Sequence, residues 1–174
     1  MLQTQPFSAE QLSAANINAT SFLATDYLNH FNEVVMLIEM VPDMPDMIED
    51  ILCWEPCSYA DHFRQSVFAD KDLAIAAYEA APTAVRKGFE AVVTDLNREI
   101  EDVQITLSGV DQSAPMDPAL ADKVMMAIVQ NVRPAIDRAS GIINAVDKCL
   151  DGPVQADGDD ATVRAQDAVD ELFD

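Results

Sequence analysis

The chain has 174 residues, 49% of them apolar, which is enough for one buried core. Its formal net charge of −21 would repel nucleic-acid phosphates and anionic lipid headgroups, so we expect neither nucleic acid nor a membrane surface as a partner. The N-terminus has no basic region followed by an apolar run, and no segment approaches the ~20 apolar residues of a membrane span, which favours a cytoplasmic location.

The N-terminal segment predicts a helix that begins at a capping box formed by Ser8 and Gln11. We expect this helix to continue without a break into the first core helix. Seven apolar residues at helical spacing give that core helix a broad apolar face: Tyr27, Leu28, Phe31, Val34, Val35, Ile38 and Val41. Pro42 should end it, and Asp43 should cap a second apolar helix that stops before Pro56.

Sulfur-containing residues are concentrated between positions 36 and 57. The methionines at positions 36, 40, 44 and 47 are interpreted as core-filling residues. The chain has an odd number of cysteines without the spacing of a disulfide framework, which favours a reducing compartment. A metal shared by Cys53 and Cys57 would need further ligands that do not follow, so we expect a buried thiol beside Trp54 and a second thiol at a helix end.

Capping patterns predict two short helices after Pro56. Ser58 with Asp61 opens the first of them, and Asp70 is the expected cap of the second. The second helix is rich in alanine and can therefore lie close against a neighbour.

Pro82 begins the most regular segment, whose apolar residues recur at spacings of three and four and predict a packing seam: Val85, Phe89, Val92, Leu96, Ile100, Val103 and Leu107. Gly109 is the expected left-handed C-cap, and Asp117 with Pro118 starts a return helix. Pro134 should kink this return helix. Its own apolar stripe lets the two arms form a long helical hairpin: Leu120, Val124, Ile128, Val132, Ile136, Ala139, Ile143, Val146 and Leu150.

Beyond Gly152 and Pro153 the sequence is acidic and lacks apolar periodicity, as expected for a linker. The last ~15 residues have a weak helical spacing that is marginal for an isolated helix. No segment has the period of a strand. We therefore predict an all-α fold, with a helical bundle at residues 1–150 that includes the long helical hairpin, and a flexible acidic C-terminal tail at residues 151–174 that holds a linker and a terminal peptide.

Three ionisable residues share one narrow arc of the first core helix: Asp26, His30 and Glu33. Such a face would suit a metal ion or a general base. The order of the residues is the reverse of the Glu-x-x-His motif of di-iron bundles, and no second copy follows. We interpret the arc as a polar helix face with a carboxylate and imidazole pair, and we expect no metal and no other cofactor.

The terminal segment AQDAVDELF, residues 165–173, resembles the peptide by which CheZ chemotaxis phosphatases hold the response regulator CheY. The family pattern is approximately Ser/Ala, Gln, Asp, any, Val/Ile, Asp, any, Leu, Leu/Phe, and a similar peptide occurs in the flagellar switch protein FliM. A long helical hairpin followed by an acidic linker and a terminal peptide also looks like CheZ. The resemblance implies that a CheY-like response regulator is bound by six residues: Gln166, Asp167, Val169, Asp170, Leu172 and Phe173.

The same resemblance implies a catalytic pair. In the CheZ family, catalysis is attributed to an Asp and a Gln four positions apart on a helix, where the Gln orients the water that attacks the aspartyl phosphate. Asp61 and Gln65 have this spacing on a predicted helix, and Asp151 and Gln155 have it in the linker. By this resemblance, Asp61 and Gln65 are the candidate catalytic residues.

Two hypotheses for function follow. In the first, a helical bundle captures a CheY-like response regulator with its tail and promotes dephosphorylation of the regulator. The alternative is a non-enzymatic helical adaptor or oligomerising protein, whose hairpin pairs with another chain, for example in a homodimer. If the seam at residues 85–107 is covered within one chain, no dimer is needed; an exposed seam would indicate an oligomer.

Overall fold

A computed structural model describes the backbone of residues 7–149 and the side chains of residues 7–144. This part of the chain is all-α and contains no β-strand, only an isolated antiparallel bridge between Ile17 and Ala24. None of its helices combines the length and the apolar composition needed to cross a membrane. Residues 150–174, which hold the predicted tail, lie outside the described residues.

Eight α-helices follow one another in the described part of the chain: α1 (Ala9–Ala14), α2 (Asn29–Met40), α3 (Ile48–Cys53), α4 (Tyr59–Gln65), α5 (Lys71–Ala80), α6 (Thr83–Leu107), α7 (Pro118–Ala127) and α8 (Arg133–Cys149). Short 3₁₀ turns precede α2 and α3, at Thr25–Leu28 and Pro45–Met47. A π-helical turn, Ile128–Val132, joins α7 to α8.

The N-terminal segment begins as predicted and then turns. Ser8 and Gln11 form the expected capping box. The prediction of a continuous helix is wrong, because α1 ends after six residues and the backbone has a positive φ at Asn16 (56°) and Phe22 (60°). The Asn18 carboxamide accepts hydrogen bonds from the N–H groups two and three residues on, which favours a turn over a helix.

A hydrogen bond from a buried hydroxyl connects this N-terminal turn to helix α8. Ser21 is fully buried, and its Oγ donates a 2.8 Å hydrogen bond to the carbonyl oxygen of Ile143 in α8. The same Oγ accepts a bond from the N–H of Leu23. The hydroxyl therefore donates one hydrogen bond and accepts another inside the core, as expected for a buried polar group.

The apolar face predicted for the first core helix is confirmed. All seven of its residues are buried: Tyr27, Leu28, Phe31, Val34, Val35, Ile38 and Val41. The helix ends at Met40, ahead of Pro42, as predicted. The predicted cap by Asp43 is wrong, because the next turn begins at Pro45 and Met44 occupies its N-cap position.

Long helix α6 contacts α8, α7 and the π-helical turn. Its predicted seam is covered by these elements, with Val85 and Val92 half-buried and the remainder buried: Phe89, Leu96, Ile100, Val103 and Leu107. Helix α7, the π-helical turn and α8 bury Val124, Ile128, Val132, Ala135, Ala139 and Ile143. Because the seam is covered within one chain, it supplies no physical reason for a dimer through this surface.

The ends of these arms differ from expectation in two places. Gly109 does not have a positive φ, so the predicted left-handed cap of α6 is wrong, and Ser108 Oγ instead donates to the carbonyl of Ile105. The irregularity expected at Pro134 takes the form of the preceding π-helical turn. Pro134 has no N–H and its ring would clash with the carbonyl four residues earlier, and a widened turn relieves both problems. Asp117 caps α7 as predicted, accepting from the N–H of Ala119 at 2.7 Å.

Several side chains lie nearer to solvent than predicted. Met36 and Met44 are exposed, so the core-filling interpretation is wrong for these two methionines. Met36 lies on the opposite side of α2 from Val34 and Ile38, and Met44 lies at the start of the 3₁₀ turn before α3. Met40 and Met47 are half-buried.

One capping prediction and one cysteine prediction are also wrong. Asp70 makes no side-chain cap on α5, because its backbone is not in the extended conformation that a capping side chain needs. Cys53 is exposed at the end of α3, and Cys57 is half-buried, so the predicted buried thiol beside Trp54 is absent from both positions.

Candidate functional site

A cavity of about 590 Å³ opens between the start of α2, residues 55–57, and α4 with the turn that follows it. We call it the α2/α4 cavity. Four of its ionisable and polar lining residues come from α2 and α4, namely His30, Glu33, His62 and Gln65, and Asp26 and Cys57 come from the segments just before these helices. A volume of this size is typical of small-molecule sites.

Two neighbouring segments, one around the start of α2 and one at α4, bring these side chains together. Asp26, His30 and Glu33 all line the cavity, although Asp26 lies in the 3₁₀ turn before α2 and not in the helix itself as predicted. Helix α4 packs against the 3₁₀ turn that precedes α2. Ser58 fixes the start of α4, because its Oγ accepts a hydrogen bond of 3.1 Å from the N–H of Asp61.

The two histidines of the chain meet at this cavity. The ring centroids of His30 and His62 are 6.1 Å apart. His30 stacks on Trp54, with centroids 4.7 Å apart and planes inclined by 26°, and the edge of Tyr27 meets His62 at 5.5 Å. Trp54 Nε1 donates to the backbone carbonyl of His30 at 3.2 Å. The aromatic neighbours therefore fix the orientation of the pair.

Burial keeps both imidazoles neutral near pH 7. It lowers the pKa of His30, the adjacent His62 lowers it further, and the Glu33 carboxylate acts in the opposite direction. Burial also lowers the pKa of His62, against the opposing effects of Asp26 and Glu33. The Nε2 atom of His30 is buried and has no hydrogen-bond partner among the described residues.

Two hydrogen-bonded side chains support the rim of the cavity from behind. The hydroxyl of Tyr27 donates to the carbonyl of Cys57 at 2.8 Å, and burial raises the pKa of this phenol, so it stays a donor. From α6, Gln104 Nε2 donates to the carbonyls of Ile51 and Trp54, both at 2.8 Å. These bonds hold the end of α3 and the segment after it against the core.

The candidate catalytic residues lie in different surroundings. Gln65 is exposed and lines the cavity, and its side-chain carboxamide makes no hydrogen bond to another described residue. Asp61 does not line the cavity; its carboxylate accepts bonds from Ser58 Oγ (2.7 Å) and Arg64 Nη1 (2.6 Å), which lower its pKa. The structure thus places Gln65, and not Asp61, in the lining of the α2/α4 cavity.

The proposed partner-binding residues cannot be placed in this geometry, since they all lie outside the described residues: Gln166, Asp167, Val169, Asp170, Leu172 and Phe173. The pairing of His62 with His30 was missed by sequence reasoning, since the two are on separate helices and no local spacing links them. Among the residues whose side chains are described, no three His, Cys, Asp or Glu side chains are arranged to hold a metal ion.

No protein-family model, curated protein or solved structure matches this chain. The likeness of residues 165–173 to the CheZ peptide therefore stands on those nine residues, and the α2/α4 cavity is interpreted from its own geometry.

Proposed function

We propose that this protein is a helical response-regulator-binding protein. Its terminal peptide, residues 166–173, holds a CheY-like response regulator, and Gln65 promotes hydrolysis of the regulator's aspartyl phosphate. The observation that supports this role is the exposed carboxamide of Gln65 at the end of α4, beside an open cavity and without a hydrogen bond to the described residues. A carboxamide in that state is available to orient a water molecule.

The proposed chemistry requires little of the protein beyond positioning. Water attacks the phosphorus of the aspartyl phosphate, the phosphorus–oxygen bond to the regulator's carboxylate breaks, and phosphate leaves. Gln65 Oε1 would accept a hydrogen bond from the attacking water and hold it in line. Asp61, held ionised by Ser58 and Arg64, would place a fixed negative charge one turn away, suited to a basic side chain on the regulator.

The proposed architecture pairs a rigid body with a tether. The body would use α6 and the α7–α8 arm as a long helical hairpin, and the acidic residues 151–165 would act as a flexible linker to the terminal peptide. Tethering keeps a captured regulator at high effective concentration near α4. The net charge of −21 favours approach of a basic partner surface.

The test compares the full chain with a chain that ends at Gly158, each titrated against phosphorylated response regulators, with affinity and phosphate release measured together. We expect Gln65→Ala to leave the affinity unchanged and to slow phosphate release. Gln112→Ala, an exposed glutamine in the loop before α7, is the matched control and should change neither quantity. Equal affinity of the two chains, or none for either, would refute capture by the tail.

A non-enzymatic adaptor is the second candidate, because large apolar side chains remain exposed on several described elements. The fully exposed Val67 lies at the cavity rim, and more than half of each of four others faces solvent: Met36, Ile105, Met126 and Val129. Exposed apolar side chains mark a protein contact where they form one contiguous patch. Regulator binding without any gain in phosphate release would select the adaptor. A mass of two chains in solution would establish a homodimer.

A further inference from the structure

The α2/α4 cavity is electrostatically one-sided. Its lining includes three carboxylates, Asp26, Glu33 and Glu55, and contains neither lysine nor arginine. The two imidazoles in the lining add no positive charge while they stay neutral, and burial favours that state. A ligand in this cavity therefore meets a negative potential with no fixed positive charge to balance it.

Flat side chains form part of the same wall. The rings of His30, His62 and Phe68 line the cavity, and Phe63, fully buried, packs its ring against Phe68 at 5.4 Å. His30 is itself backed by the indole of Trp54. Aromatic faces attract organic cations more strongly than neutral or anionic molecules of the same shape.

The hydrogen-bonding groups of the wall favour a donor. Carboxylates accept and cannot donate, so the three carboxylates of the lining offer acceptors to a ligand. A ligand that carries N–H groups would supply the matching donors. The Oγ of Ser66, another lining residue, is already used, since it donates to the carbonyl of Phe63 and accepts from the N–H of Phe68.

From these three observations we infer that the α2/α4 cavity binds a small organic cation that carries N–H donors, such as an amine or an amidine. Glu33 and Asp26 hold its charge, and the ring wall holds its apolar part. The inference does not rest on the proposed action on a response regulator, and it is tested without one.

The probes are benzamidine, benzamide and benzoate, which share a shape and carry a positive charge, no charge and a negative charge. Binding to the full chain is measured by calorimetry and by the emission of Trp54, the chain's single tryptophan. We expect saturable binding of benzamidine that weakens with added salt, and at least roughly tenfold weaker binding of the other two. No saturable binding of benzamidine up to about 10 mM, or equal binding of all three probes, overturns the inference.

Variants then locate the site. Glu33→Gln and Asp26→Asn keep the shape of the side chain and remove its charge, and each should weaken benzamidine binding by roughly threefold to tenfold. Glu101→Gln, an exposed position on α6 away from the cavity, is the matched control and should leave binding unchanged. Equal losses from Glu33→Gln and Glu101→Gln would mean that the overall charge attracts the probe and would overturn the assignment of the site.

Discussion

The imidazole of His30 stacks on the indole of Trp54, and the ring nitrogen of the same indole donates to the His30 backbone carbonyl. The side chain and the main chain of one residue are thus both held by one aromatic ring. Since Trp54 is the only tryptophan, its emission reports directly on the histidine pair and on the α2/α4 cavity.

The core position of Phe31 gives the first prediction. Phe31 is fully buried and its ring contacts Tyr27 edge-on at 5.6 Å, so Phe31→Ala should lower the free energy of unfolding by about 3–5 kcal/mol. Met36→Ala, on the exposed side of the same helix, should change it by no more than about 0.5 kcal/mol. Urea unfolding measures both, and equal effects would contradict the assigned face of α2.

The apolar seam of α6 gives the second prediction. Leu96 is fully buried, so Leu96→Asp places an unpaired charge in the core and should abolish cooperative unfolding or cost several kcal/mol (order of magnitude). Ile105→Asp is the control on the same helix, because Ile105 is 65% exposed and should tolerate the charge. Circular dichroism and thermal unfolding distinguish the two variants. A Leu96→Asp protein with the parent's unfolding curve would contradict a buried seam.

The histidine pair gives a pH prediction. Because the native pKa values of His30 and His62 are lower than those of the unfolded chain, the unfolded state binds more protons below about pH 6.5. Stability from this source is therefore complete above about pH 6.5 and is lost as the pH falls. Asp26 and Glu33 oppose the shift and moderate the loss.

The measurement is the urea midpoint at several pH values from 7.5 down to 5.5. His30→Gln and His62→Gln should each flatten this dependence, because neither glutamine takes up a proton. A parent protein whose midpoint is constant over the range would show that the imidazoles are not desolvated in the native state.

Gln104 gives a prediction for the support behind the cavity. Gln104→Ala would remove a hydrogen bond from each of the Ile51 and Trp54 carbonyls, of which the Ile51 carbonyl keeps the N–H of Trp54 as a partner, and should cost about 1–3 kcal/mol. Trp54 emission should shift to longer wavelength as the segment after α3 loosens. Gln112→Ala serves again as the control, and a Gln104→Ala protein with unchanged emission would mean that other contacts hold Trp54.

The terminal peptide gives the last prediction. Changing Leu172 and Phe173 together to Ala should abolish binding to a CheY-like domain, because the proposed apolar anchors are lost. Asp167→Asn should weaken binding mainly at low salt, since its proposed contact is a screened charge pair. Affinities at two salt concentrations separate these effects. Wild-type affinity in the double variant would exclude the proposed anchors.

Periodicity predicted the parts of the fold that depend on one element at a time. The buried faces of α2 and α6 follow from apolar spacing, and the Ser8 and Ser58 caps from local hydrogen bonding. The turns at Asn16 and Phe22 were not predictable in the same way, because a positive φ at non-glycine residues is held by surrounding contacts.

Only one part of the candidate site was predictable from the sequence. One face of the first core helix placed Asp26, His30 and Glu33 together, but their meeting with His62 depends on how α4 packs against the turn before α2. That packing involves contacts between distant segments, which local spacing does not encode. The exposure of Met36 is a different case, because the apolar spacing of α2 already places Met36 opposite Val34 and Ile38.

The hydrogen bond from Ser21 to Ile143 spans 122 positions. It constrains the order in which segments of the protein can pack during synthesis. When the ribosome has made the turn that contains Ser21, the acceptor for this hydroxyl does not yet exist, because α8 is synthesised after α2 to α7. The turn at Ser21 therefore completes its packing only after α8 has emerged. A nascent chain halted before α8 should leave residues near Ser21 open to proteases, and release of α8 should protect them.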